Sequence, residues 1–117
     1  MDQTDREQHV GALIEQLENV RKRKGMYMFP VDGQAAQNFV TGFSTAAYAL
    51  DLVFMKSKTP VWLKAGEKRG WKICAVGPIP EMKERGMSDE QIADEVLAIE
   101  IETWRMWLSE NKEPAAE

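Results

Sequence analysis

Cysteine and histidine are nearly absent from this chain, with Cys74 and His9 standing alone among 117 residues. One cysteine forms no internal disulfide, and one of each residue is too few for a Cys/His zinc site or a supported Cys-His nucleophile. Long apolar runs are missing too. No stretch approaches the ~18 to 20 residues of a membrane-spanning helix, which excludes a transmembrane protein on this reading. A basic start followed by an apolar block, the pattern of a secretory signal, is also lacking, because MDQTDREQHVGALIEQLENV is acidic and amphipathic. The expectation is a cytoplasmic chain. What is present is a composition that is 44% hydrophobic and 29% charged, enough for one modest core. Residues 1–110 read as one domain and residues 111–117 as a flexible acidic tail.

The net charge of −4 divides along the chain. Residues 1–20 carry −4, residues 21–72 carry +7 and residues 73–117 carry −7. A basic middle between acidic ends is either an anion-binding face or a segment neutralised by the rest of the chain on packing, and the second is favoured because the counter-charge is already there.

Helical spacing of Val10, Leu13, Ile14, Leu17 and Val20 predicts a helix over 4–24. Its last turn is Arg21-Lys22-Arg23-Lys24, and Gly25 is positioned to cap it in the left-handed conformation. Met26-Tyr27-Met28-Phe29-Pro30 is too apolar for a solvated loop and is expected to pack on the core. Asp32-Gly33 turns the chain into a second helix over 34–56, with a wide apolar stripe that predicts the central position. Thr59-Pro60 ends it. Val61-Trp62-Leu63-Lys64-Ala65 and Trp71-Lys72-Ile73-Cys74-Ala75-Val76, joined through Gly66–Gly70, read as a β-hairpin closed by Gly77-Pro78-Ile79-Pro80. A short helical turn follows at 81–85. Ser88-x-x-Gln91 is a capping box that opens a last, acidic helix. The fold class this implies is α+β, with helices covering one face of a small antiparallel sheet.

Leu17-Glu18-Asn19-Val20-Arg21-Lys22-Arg23-Lys24-Gly25-Met26-Tyr27-Met28 resembles the start of the ATPase domain of bacterial type II topoisomerase B subunits (DNA gyrase and topoisomerase IV), members of the GHKL ATPases. Over nine positions this chain differs from the family string Val-Arg-Lys-Arg-Pro-Gly-Met-Tyr-Ile only at Lys24 and Met28. Loop, long helix and hairpin follow in the family's order over 13–80. The resemblance implies a truncated, degenerate relative, because Gly42 and Ala46 stand at the loosely aligned places of the family's catalytic glutamate and magnesium-binding asparagine. Where the family grips adenine with an aspartate, this chain has Cys74-Ala75-Val76-Gly77-Pro78. A helix without the base and the metal ligand lacks the means of ATP hydrolysis.

Candidate anion or nucleic-acid contacts are Arg21, Lys22, Arg23, Lys24, Lys64, Lys68 and Arg69, each adding salt-sensitive affinity if free to meet phosphate. The alternative is helix capping plus a solvated hairpin. Trp62 and Trp71 could stack bases if exposed, but paired strand tryptophans more often form a core face or an interface. Trp104 and Trp107 divide, on this reading, into one core and one interface residue. His9 reads as solvated and Cys74 as a buried apolar residue. No catalytic residue, metal or cofactor is expected. The leading function is a non-catalytic interaction protein, with nucleic-acid binding and a residual nucleotide site as alternatives. A two-stranded sheet has exposed edges, so a homodimer is expected, completing the sheet or pairing the aromatic ends of the last helices.

Overall fold

In a computed structural model, described over residues 2–53, 55–73 and 76–110, six helices run in order. They are α1 (Gln3–Lys22), α2 (Lys24–Tyr27), α3 (Gly33–Ala49), α4 (Met55–Lys68), α5 (Ile79–Glu84) and α6 (Asp89–Glu110). Among the described residues there is no strand, so the expected α+β class is corrected to all-helical. The hairpin and sheet implied by the GHKL resemblance go with it, as does a dimer made by completing a sheet. No helix among the described residues is long and apolar enough to cross a membrane. Cys74 and the expected tail at 111–117 lie outside the described residues.

The hairpin is corrected residue by residue. Val61–Ala65 lies inside α4, where Lys58, Val61 and Ala65 recur at three and four residues and are all buried. Trp62 is half-buried beside them, while Leu63, Lys64, Glu67 and Lys68 face solvent. Burial on one face of a helix outweighs the strand preference of Val-Trp-Leu. Pro60 sits within the helix on its exposed side and forgoes only the hydrogen bond to the Lys56 carbonyl. The presumed hairpin loop is the end of this helix. Gly70 is left-handed (φ +88°), its N–H bonds the Glu67 carbonyl at 2.9 Å, and the Trp71 N–H bonds the Gly66 carbonyl at 2.8 Å. Gly66 itself lies under Ile73, whose side chain would stand 2.2 Å from an added Cβ.

α6, not the second long helix, is the centre, with α1, α3 and α4 all packed against it. It opens on the capping box read in the sequence, Gln91 N–H donating to Ser88 Oγ (3.2 Å) and Ser88 N–H to Gln91 Oε1 (2.8 Å). One half of α6 gives Ile92, Ala93, Val96, Leu97 and Ile99 to a core shared with Val20, Met28, Ala36, Val40, Trp71 and Met82. The other half gives Ile101, Trp104 and Trp107 to a core shared with Val10, Leu17, Ala47, Leu52 and Val61. Side chains of this size contribute about 1.5–3 kcal/mol each on full burial. Both Trp104 and Trp107 are interior, at 0% and 4% exposure, so the expected division between core and interface is corrected. A dimer through those indoles is corrected with it.

Two helix ends also differ from expectation. Gly25 is a residue of α2 and has no positive φ; α1 ends instead on Arg23 in a non-helical conformation (φ −132°, ψ 48°), whose N–H bonds the carbonyls of Asn19 and Val20. α3 stops at Ala49 rather than near residue 56, because Asp51 takes the left-handed conformation (φ +58°) and the Leu52 N–H turns back to the Ala47 carbonyl at 3.0 Å. That closure sends Leu52 and Val53 inward.

A non-glycine residue in the left-handed region costs about 1 kcal/mol, so Asp51→Gly is expected to stabilise the chain by up to about that amount, read as a raised urea midpoint at unchanged slope. Gly66→Ala is expected to destabilise by about 1–3 kcal/mol by forcing Ile73 aside. A neutral Gly66→Ala would contradict the packing of Ile73 on α4.

Candidate functional site

The charges separated along the sequence meet on α6. Asp94 accepts a two-pronged pair from Arg21, Nε to Oδ1 and Nη2 to Oδ2, both at 3.0 Å, and Lys24 Nζ lies 2.8 Å from Oδ1 while donating to the Arg21 carbonyl at 2.7 Å. Lys24, where the topoisomerase string has proline, is thus part of a clamp holding the end of α1 against α6. The next residue, Glu95, serves the opposite neighbour. It accepts from Arg69 Nε at 2.7 Å, Arg69 Nη2 at 2.9 Å and Trp71 Nε1 at 2.9 Å. Lys68 pairs with Glu102 at 2.5 Å and Lys64 with Glu110 at 3.8 Å, and Arg105 reaches back to Glu18.

Of the seven candidate anion contacts, Arg21, Lys24, Lys64, Lys68 and Arg69 therefore face carboxylates of α6. Lys22 and Arg23 are exposed and have no carboxylate partner among the described residues. The structure does not gather the seven into one open face. Nor does it present the tryptophans. Trp71 is 7% exposed with the Arg85 guanidinium 4.3 Å from its ring centre, and Trp104 and Trp107 pack edge to face in the core. Trp62 is half-buried and lines a cavity between α3 and α4. His9 is exposed. Among the described residues no group of three His, Cys, Asp or Glu side chains is placed to hold a metal ion.

The exposed feature lies next to the two unpaired cations. From Met28 to Val31 the chain is non-helical, and Met28, extended, turns inward (8% exposed) while its neighbour Phe29 turns out (95%). The Phe29–Pro30 peptide is cis. Met26 is 73% exposed, and Tyr27 is anchored edge to face on Phe39 at 6.1 Å, which is itself stacked on Phe43 at 5.3 Å. The expectation that Met26–Pro30 packs on the core thus holds for Met28 and is corrected for Met26 and Phe29. Lys22, Arg23 and Met26 face Asp89 and Glu90, at the start of α6, across an open cleft of about 720 Å³. This edge, apolar at its tip with both signs of charge beside it, is the candidate site. Nothing in the sequence distinguished Phe29 from its buried neighbour Met28, since both faces of an extended apolar segment read alike.

Comparison with protein-family models, curated proteins and solved structures finds no match to this chain.

The Arg21 and Lys24 contacts hold the Asp94 carboxyl below the usual carboxylate range against the opposing effect of burial, and Arg69 and Trp71 do the same for Glu95. A carboxyl lowered in the folded state adds stability that is complete above the unfolded value, about pH 4, and is lost as pH falls through the folded value. The urea midpoint is therefore expected to fall as pH drops below about 4. It should fall less steeply in an Asp94→Asn/Glu95→Gln variant, and parallel pH profiles for the two proteins would refute the clamp.

Proposed function

We propose that this chain is a non-catalytic interaction protein that works as a homodimer, its Met26–Phe29 edge docking on the same edge of a second copy. The observation that supports this most directly is Phe29, a large aromatic side chain 95% exposed on a segment whose neighbours Tyr27 and Met28 are anchored. Leaving an aromatic ring in water forgoes burial that an interface would recover, and aromatic and methionine side chains are the residues that concentrate in interface centres. Charge supports self-recognition. The cleft beside Met26 carries Lys22 and Arg23 on one wall and Asp89 and Glu90 on the other, so a twofold arrangement can set the basic wall of each copy on the acidic wall of the other.

A phosphate backbone fits this edge less well. Two exposed cations on a chain of net charge −4, with two carboxylates across the cleft, make a small electrostatic footprint.

Sedimentation velocity with and without duplex DNA tests the reading. A concentration-dependent dimer is expected, lost in Phe29→Asp and in Lys22→Glu/Arg23→Glu, and regained when the latter carries Asp89→Lys/Glu90→Lys as well. A strict monomer at all concentrations, a dimer indifferent to Phe29, or salt-sensitive co-sedimentation with DNA would overturn it.

A further inference from the structure

Behind the surface pairs, one carboxylate of α6 is fully interior. Glu100 is 2% exposed and is matched by Lys58, 5% exposed, whose Nζ lies 2.8 Å from Glu100 Oε2. Ser44 Oγ donates to the same Oε2 at 3.1 Å and accepts from Lys58 Nζ at 2.9 Å, and Trp104 Nε1 donates to it at 2.9 Å. All three contacts converge on one oxygen. Oε1 has no donor among the described residues, and because no buried side-chain oxygen or nitrogen among them is left without a partner, Oε1 is the oxygen that opens to the cavity. Lys58 likewise brings three N–H donors to two oxygen acceptors, with the Trp104 ring 5.2 Å away.

These groups form the floor of the cavity between α3 and α4, about 290 Å³ in volume. Above them its walls carry the Gln37 amide, the Thr41 and Thr45 hydroxyls and the aromatic rings of Tyr48 and Trp62. A pocket of that size suits one small molecule. Its floor is a matched cation and anion with one acceptor and one donor to spare, so a net ion entering it would lose hydration without meeting a net opposite charge. A hydroxyl group is both donor and acceptor, and one hydroxyl can give its proton to Glu100 Oε1 and accept from Lys58 Nζ. The chemistry is binding rather than acyl transfer: the Ser44 hydroxyl donates to a carboxylate, and the Lys58 amine, held on that carboxylate, is a donor and not a base for Ser44.

We infer that the Ser44–Lys58–Glu100 cavity binds a neutral, polyhydroxylated small molecule of monosaccharide size, with hydroxyls on Glu100 and Lys58 and an apolar ring face against Trp62 or Tyr48. The site is independent of the Met26–Phe29 edge.

Saturation-transfer NMR on the full chain with D-glucose, D-galactose, D-ribose and myo-inositol, alongside glycine and inorganic phosphate, tests the inference. Thr41 is exposed at the cavity wall, so Thr41→Trp is expected to fill the opening without disturbing the buried network. Saturable binding of at least one of the four polyols is expected, weakened at least tenfold by Thr41→Trp at unchanged melting temperature and unchanged by Lys22→Glu. Binding of none of the four below tens of millimolar, equal binding by Thr41→Trp, or tighter binding of glycine or phosphate would overturn it. Should Thr41→Trp melt lower, Thr41→Arg at the same position replaces it, with the same outcomes deciding.

Discussion

The structure depends on the neutralisation of α6. A helix that carries seven carboxylates and a single base would ordinarily lie on the surface, yet this one is the hub against which α1, α3 and α4 pack. It can be central because five of its seven carboxylates meet bases, one from the end of α1 and four from α4 and its end. Asp94 receives the end of α1, Glu95 the end of α4, and Glu102 and Glu110 the outer side of α4. Exposed pairs of this kind contribute little each, about 0–1 kcal/mol. Their larger effect is on choice of arrangement: an α1 or α4 docked one turn out of place would leave the forked Arg21 and Arg69 pairs unmade and acids of α6 facing one another. Burial of Leu17, Ile92, Leu97, Ile99 and Trp104 supplies most of the stabilisation, and the ion pairs decide which packing receives it.

Much of this was legible in the chain, and the failures have physical causes. The start of α6 was readable because a capping box is a local device that needs only residues 88 and 91. The course of α1 was readable because its apolar positions keep one spacing. The segment 61–76 was misread because three signals pointed the same wrong way. Pro60 breaks most helices but lies here on a solvent face, Val-Trp-Leu favours strands in isolation, and Gly66 and Gly70, four positions apart, resemble the ends of a hairpin loop. The opposing signal is the recurrence of Lys58, Val61 and Ala65, which shows an inward face only when a lysine is allowed to point inward. Only the buried carboxylate of Glu100, 42 positions away, lets Lys58 do so.

Likewise, the charge division was visible but not its resolution into particular pairs, which requires the fold. Arg21 and Lys24 converge on a single aspartate while Lys22 and Arg23, in the same run of four, do not: the chain leaves the helix at Arg23, and Lys24, the first residue of α2, comes back to the carboxylate that Arg21 of α1 already holds. A run of like charges therefore contains two populations, one consumed in packing and one left at the surface. Of the cations that the string shares with the topoisomerase family, Arg21 belongs to the first population and Lys22 and Arg23 to the second.

This division bears on where function can reside. A side chain committed to partners within the chain explains stability first, which makes Arg69, Trp71 and Asp94 poor candidates for a ligand. Two places keep unspent capacity. Phe29 stands in water a few residues from Lys22 and Arg23, cations with no carboxylate partner among the described residues. In the interior, three contacts crowd one oxygen of Glu100 and leave the other to the cavity. The second is the less expected, because a chain selected for stability alone would do as well with an apolar pair in place of Lys58 and Glu100. Keeping a charged pair in the core, opened to a polar cavity by a single oxygen, is a cost that packing does not require.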